Sequence, residues 1–303
     1  MNYDVPILFI VYRNPTITKK VFQQIKKIKP NKLYIASDGY PQNDKKIQNE
    51  VKKTREIFND IGWKCSIKKK FSNHNQGLKK GVVSAIDWFF QHEKQGIILE
   101  YDCFPSVAFF EYCKVLLKKY KKNNEIYSIS GSNLTDNKKW SENDYFCTSL
   151  TPVWGWATWQ RSWKLYKKKI NYRDLNTILL KIKKQYAFPY NIFLKNNYKN
   201  NFKNINQSTW SFNFMFHQIL KNKKCILPKY NLIKNLGFGK KSTNAHLTLN
   251  IYGDQKIHNL KIKNILHSKK LIVNYNADNI LLKKCFKYMY LSYIQKKIKN
   301  FFK

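Results

Sequence analysis

The residues best placed to do chemistry lie at Gly96-Ile97-Ile98-Leu99-Glu100-Tyr101-Asp102, where an aliphatic run ends in an acid–aromatic–acid triplet. Side chains two apart on an extended chain point the same way, so Glu100 and Asp102 can face one site at the strand's carboxyl end. Oxygen ligands of this kind suit Mg²⁺ or Mn²⁺ bridging to a diphosphate. The plainer alternative is one acid capping the next helix and the other solvated. Ser37-Asp38-Gly39 also ends a short apolar run. Its acid can accept from a ribose or a base N–H, or simply make the turn that Asp-Gly favours. Asn73-His74-Asn75-Gln76-Gly77-Leu78-Lys79-Lys80-Gly81 reads as a strand-to-helix junction. It offers backbone N–H groups and a cation such as Lys80 to a phosphate, or forms a plain loop and helix cap. A P-loop is absent. Trp154, Trp156, Trp159 and Trp163 crowd one short stretch. Flat apolar faces carrying an N–H suit sugar rings; the alternative is core packing.

The elements that must position these groups follow from apolar periodicity. Strands are expected at Val5–Val11, Lys32–Ala36, Trp63–Phe71 and Gly96–Leu99. Helices are expected at Thr18–Ile28, Asp44–Phe58, Gly77–Gln91 and Phe109–Tyr120. Strand–helix alternation predicts a mostly parallel α/β sheet with helices on both faces, whose ligands bind beyond the strands' carboxyl ends. Past Glu125 the pattern loosens. Tyr127–Gly131 reads as a short strand, Lys164–Lys203 as partly helical, Ser208–Leu220 as a helix, and Cys225–Leu227 is a short apolar run leading through Pro228. The segment from Asn279 to Lys303 reads as a basic amphipathic helix. It suits either an anionic leaflet or packing on the catalytic domain.

The 303 residues include 57 Lys+Arg against 18 Asp+Glu, a formal net charge of +39. Hydrophobic residues at 43% exclude a disordered polycation. Only Arg13, Arg55, Arg161 and Arg173 are arginines. Readers of nucleic acid favour that planar fork, so no specific nucleic-acid partner is expected, although the field attracts polyanions. Lys, Asn, Ile, Tyr and Phe share A/T-rich codons, so genome bias explains the composition equally well. The six cysteines are scattered, with no zinc spacing, and read as reduced core residues of a cytosolic protein. With no signal-peptide pattern and no apolar run of spanning length, a cytoplasmic chain is expected, soluble or peripheral on the inner face of the membrane.

Taken in order, several stretches resemble the GT-A-fold glycosyltransferases. The resemblance is strongest to the bacterial nucleotide-diphospho-sugar transferases similar to eukaryotic N-acetylglucosaminyltransferase I, sometimes labelled hemolytic-protein-like. The stretches are Pro6–Pro15, Tyr34–Gly39, Asn75–Leu78, Ile98–Ser106, Ser130–Asn133, Trp154–Trp159 and Pro228–Gly239. The resemblance implies a GT-A domain over 1–245, with a nucleotide-sugar half at 1–125 and an acceptor half at 126–245. An irregular segment and the basic helix would fill 246–303. It implies transfer from a nucleotide sugar, with a UDP-sugar as the expected donor, to a glycan acceptor, with a lipid-linked acceptor in surface polysaccharide or lipooligosaccharide synthesis as one form. Tyr12, Asn14, Asp38, Asn75, Gly77, Lys80, Glu100 and Tyr101 would hold the donor. Asp102, with Glu100, would hold Mn²⁺ or Mg²⁺; Trp154, Trp156 and Trp210 would line the acceptor side.

Two departures matter. The group's Glu-Asp-Asp triplet reads Glu100-Tyr101-Asp102 here. Relatives often place an Asp directly after the Trp that corresponds to Trp210, as a general base, whereas this chain has Ser211. Indeed no Asp or Glu lies between Asp174 and Asp254. His217, or Asp144, Asp136 or Glu142, would then have to supply the base an inverting transferase needs. A relative that binds a nucleotide sugar without transferring it is the second expectation, and a nucleic-acid-binding protein the third.

Overall fold

The computed structural model describes residues 3–135, 140–166, 170–203, 209–238, 255–258 and 265–287. Its scaffold begins with β1 (Ile7–Val11), β2 (Lys32–Ser37), β3 (Ser66–Phe71) and β4 (Gln95–Glu100), which pair in parallel in the order β3-β2-β1-β4. Between them run α1 (Pro15–Ile28), α2 (Lys45–Glu56) and α3 (Leu78–His92), followed by α4 (Val107–Lys119). The alternation of side chains across each strand supplies both sheet faces. Ile7, Phe9, Val11, Ile97 and Leu99 pack with α1 and α4 on one face. Leu8, Tyr34, Ile98 and α3's Val82, Ile86 and Phe89 pack on the other. Each buried aliphatic or aromatic side chain contributes about 1.5–3 kcal/mol.

Helix starts carry their own local logic. Pro15 opens α1 with its φ already set. Asn14 caps it, accepting from Ile17 N at 3.1 Å with φ 75°. Asp44 caps α2 through Ile47 N at 2.9 Å.

Beyond β4 the sheet becomes mixed. β8 (Trp156–Trp159) runs antiparallel between β4 and β6 (Ile126–Ser130). β9 (Lys224–Pro228) lies parallel to β6, and β7 (Tyr145–Thr148) closes the edge antiparallel to β9. The full order is β3-β2-β1-β4-β8-β6-β9-β7. A separate ribbon pairs β5 (Cys103–Pro105) with β10 (Ile233–Asn235). The expected mostly parallel α/β sheet flanked by helices is present. The tryptophan stretch is its central antiparallel strand.

Of the remaining helices, α5 (Gln160–Lys164) puts Trp163 in the core shared with α3, while α6 (Tyr172–Gln185), α7 (Tyr190–Lys203) and α8 (Trp210–Leu220) pack with residues of β7 and β9. A third core forms there around Leu150, Ile178, Ile182, Leu194 and Phe216. Residues 275–287 form a helix whose Ala277, Leu281 and Leu282 are buried in this same core. Its Asp278 is wholly buried, accepting from the Thr148 and Ser149 hydroxyls and from Ser149 N. This helix starts before Asn279 and packs on the domain. The rest of the expected basic helix, 288–303, lies outside the described residues. So do Asp136 and most of the segment expected to be irregular. Among the described residues no helix is long and apolar enough to cross a membrane.

Candidate functional site

Where β1 to β4 end, the chain must turn back toward a helix each time, and the four turns enclose a cleft of about 370 Å³. Tyr12 and Arg13 follow β1, Ser37 and Asp38 end β2, Lys70 and Ser72 end β3, and Glu100 and Tyr101 end β4. The start of α3 adds Asn75, Gly77 and Gly81. Asn75 Nδ2 donates to the Tyr12 hydroxyl at 2.8 Å. Burial raises the Tyr12 phenol above its usual range, so it stays a neutral hydrogen-bonding group. Lys70 Nζ donates to the Ser84 hydroxyl at 2.7 Å and carbonyl at 3.1 Å, which holds a cation on the wall.

Asp38 does different work from that expected. Its carboxylate accepts from Gly39 N, from Gln76 N and from Gly77 N, at 2.9–3.1 Å. An ionised carboxylate has about four acceptor sites, so the backbone takes up most of them. Asp38 ties the end of β2 to the entry of α3, where a negative charge also complements the helix dipole. Gly77 makes this entry with φ 77°, a conformation that glycine adopts without strain.

Arg55, from α2, braces the strand ends that form the cleft without lining it, and was not singled out by the sequence. Its guanidinium donates to Ser37 Oγ, to the Asp38 carbonyl and to the Ser72 carbonyl at 3.1, 3.0 and 2.7 Å. It also sits over the Phe71 ring. One side chain therefore fixes the relative positions of two strand ends. Its only sequence signal was being one of four arginines in a lysine-rich chain.

At the end of β4 and just beyond it stand the two acids, of which Glu100 lines this cleft. Glu100 is raised to about 8 by burial and then by the Asp102 charge. Asp102 is raised to about 6, with burial outweighing its backbone and Cys103 hydrogen bonds. The β5–β10 ribbon brings Asn235 and Gly237 beside Asp102, and Leu236 N donates to its carbonyl at 2.7 Å. A side chain at 237 would collide with the Asp102 carboxylate. Among the described residues no group of three or more His, Cys, Asp or Glu is arranged to hold a metal. The donor set is thus two carboxylates whose charges burial disfavours and a cation would relieve. That fits Mg²⁺ or Mn²⁺ taking its remaining ligands from phosphate and water.

A second cavity, of about 520 Å³, opens on the other side of Glu100 and shares Leu78 and Glu100 with the first. Asp102, Trp154 and Trp210 also line it. Its remaining walls are chiefly apolar, supplied by α7, α8, the Leu150–Trp154 loop, Phe238 and the 275–287 helix.

Other expected site residues lie elsewhere. Trp156 is fully buried, stacked on Trp210 at 5.8 Å and packed on Phe214 at 4.9 Å. It is core and lines neither cavity, because its strand runs through the middle of the sheet. His217, a candidate base, is 1% exposed on α8 against the Tyr166 ring and lines neither cavity. Asp144, the other, accepts from Leu266 N at 2.8 Å at the start of β7, also outside both. Neither reaches the site, as a base must. Asn14 is committed to capping α1, and Lys80 is exposed outside the lining.

No family model matches the chain, and no curated protein does. Among solved structures it is similar to a cytidylyltransferase from Leptospira borgpetersenii serovar Hardjo-bovis (strain JB197). That match has 14% identity and a TM-score of 0.34, over 67% of this chain and 74% of that one. It is similar also to UDP-glucose pyrophosphorylase, apo and complexed with UDP-glucose. These matches have 11% identity and TM-scores of 0.36 and 0.35, over 76% of this chain and 91% of each. Likeness of this order leaves the activity to be argued from the site.

Proposed function

We propose that the chain is a glycosyltransferase that moves a sugar from a nucleoside-diphosphate donor to an acceptor hydroxyl, with a divalent cation assisting. The observation that carries this reading is the place of Glu100, shared by a polar strand-end cleft and a second cavity, with Asp102 lining that second cavity two residues on. A two-substrate transfer needs its reacting atoms at such a boundary. The nucleoside diphosphate would occupy the first cleft, with Tyr12 and Asn75 on one wall and Arg13 and Lys70 supplying positive charge. Glu100 and Asp102 would hold Mg²⁺ or Mn²⁺, which when bound neutralises charge on the departing diphosphate. The acceptor hydroxyl would approach from the second cavity. Its oxygen bonds to the anomeric carbon as the carbon–phosphate-oxygen bond breaks. The bonding pair leaves with the diphosphate, and the hydroxyl proton passes to a base or water.

A second reading is a protein that binds a nucleotide sugar without transferring it. It is favoured by the positions of His217 and Asp144, which leave Glu100 and Asp102 as the only Asp, Glu or His side chains of the second cavity among the described residues.

Thermal shift with UDP and Mn²⁺ tests both. The expected result is stabilisation that needs the cation and is lost in Asp102→Ala. The same substitution should slow donor turnover on the order of a hundredfold or more, the scale of a lost cation contact. UDP binding that ignores both Mn²⁺ and Asp102→Ala would end the metal-assisted reading. A screen of nucleotide sugars, read as hydrolysis or transfer, separates the enzyme from the binder.

A further inference from the structure

The second cavity has walls unlike those expected of a site for a bare sugar. Leu150, Val153, Phe193, Phe212, Met215 and Leu282 all face it, and Trp154 meets Phe238 edge-on at 5.2 Å across its lining. A sugar ring presents hydroxyls around its rim, and each one buried without a partner is costly. An apolar chain has no such demand. Polar atoms are also present. Glu100 stands where the cavity meets the first cleft, and Asp102, two residues on, lines the cavity.

The surroundings continue the pattern. Phe286 meets Phe193 edge-on at 5.5 Å and is 37% exposed. Ile192 and Phe188, on and just before α7, are 47% and 75% exposed. Phe286, partly exposed and in contact with the lining residue Phe193, offers apolar surface to a chain that extends beyond the cavity.

We propose that this cavity binds the apolar chain of the acceptor, so that the acceptor is an amphiphile. An alkyl or isoprenoid chain would lie along Phe193, Phe212 and Met215, with the hydroxyl-bearing head at the Glu100–Asp102 end. This assignment rests on the transfer reading for the word acceptor, but the binding of the chain stands without it.

Binding of methyl, hexyl, octyl and decyl β-glucoside, each below its micellar concentration, tests the assignment by calorimetry on the full chain. Affinity should rise about fourfold per methylene, with a negative heat-capacity change. Met215→Gln and Phe193→Gln, both half-buried, should flatten the dependence on chain length. A second measurement does not depend on variants. Cys285 lines the cavity, whereas Cys65, also half-buried, lies far along the chain beside β3. Decyl glucoside should slow alkylation of Cys285 and leave Cys65 unchanged. Equal affinity for methyl and decyl glucoside, or equal alkylation of Cys285 with and without decyl glucoside, would overturn the proposal. UDP binding that ignores Mn²⁺, alongside intact dependence on chain length, would instead overturn the transfer reading and leave the cavity assigned.

Discussion

The cleft at the ends of β1 to β4 and the cavity beside α7 and α8 share Glu100, yet they are built on opposite terms. The cleft is a product of parallel topology. Four strands end together, and each ending exposes polar atoms that short loops hold in place. The cavity is assembled from a loop after β7, two helices, the turn after β10 and the 275–287 helix. Polar side chains in the cleft are engaged with backbone groups, as Asp38 and Lys70 show. In the cavity the walls are apolar, and selectivity falls to shape and to a few polar atoms. The difference is one of construction: the cleft is set by backbone-fixed polar groups, the cavity by packing.

The sharpest way to break that comparison is at the hinge between the two regions. Gly237→Val places methyl groups against the Asp102 carboxylate and Asn235 Oδ1. Displacing a reacting group by about an ångström costs on the order of a hundredfold. Mn²⁺-dependent UDP stabilisation should fall accordingly while far-UV circular dichroism is kept. Unchanged Mn²⁺ dependence would mean that Asp102 is not the cation's anchor.

A second test separates the regions by pH. Burial raises Asp278 to about 6 in the folded protein. A carboxylate raised on folding binds its proton more tightly in the native state, so stability is greatest below the unfolded value near 4 and falls as pH rises to about 6. The loss is on the order of 2–3 kcal/mol at neutral pH. Urea unfolding of Asp278→Asn at pH 4.5 and pH 7 should show a smaller difference than the parent chain. Glu100 and Asp102 are raised in the same direction, so they add to the fall in the parent. Mn²⁺ should offset their share and leave that of Asp278 untouched. An identical pH slope in Asp278→Asn would refute the assignment.

The smallest expected effect is at Arg55. Arg55→Met removes three hydrogen bonds that join the ends of β2 and β3. UDP affinity should drop roughly tenfold, the scale of one to two charge-assisted bonds, with turnover at saturating donor little changed. A fall in turnover at constant affinity would place Arg55 nearer the reacting atoms than the cleft wall.

Much of the first region was legible because its signals are local. An apolar run followed by Asp-Gly, or by an acid–aromatic–acid triplet, declares a strand end, and strand ends in a parallel sheet meet. The expected helices α1 to α4 match to within a few residues for the same reason. The sequence could not show which polar residues were already engaged. Asp38 and Asn14 have the types expected of ligand-binding groups, but both hydrogen-bond to backbone N–H groups. The tryptophans misled in the same way. Trp156 and Trp154 are two residues apart, yet one stacks in the core and the other borders the cavity. Spacing reported their crowding but not their depth.

What the chain alone determined was its alternating strands and helices and the acids at a strand terminus, since both depend on neighbours within a few positions. Tertiary structure decided that β8 enters the sheet antiparallel, that the β5–β10 ribbon sets Gly237 against Asp102, and that residues 275–287 help wall a cavity beside Trp154. These choices join segments well separated in the sequence. They are made by which apolar surfaces can be buried together with their backbone hydrogen bonds satisfied, a condition that no local window of sequence contains.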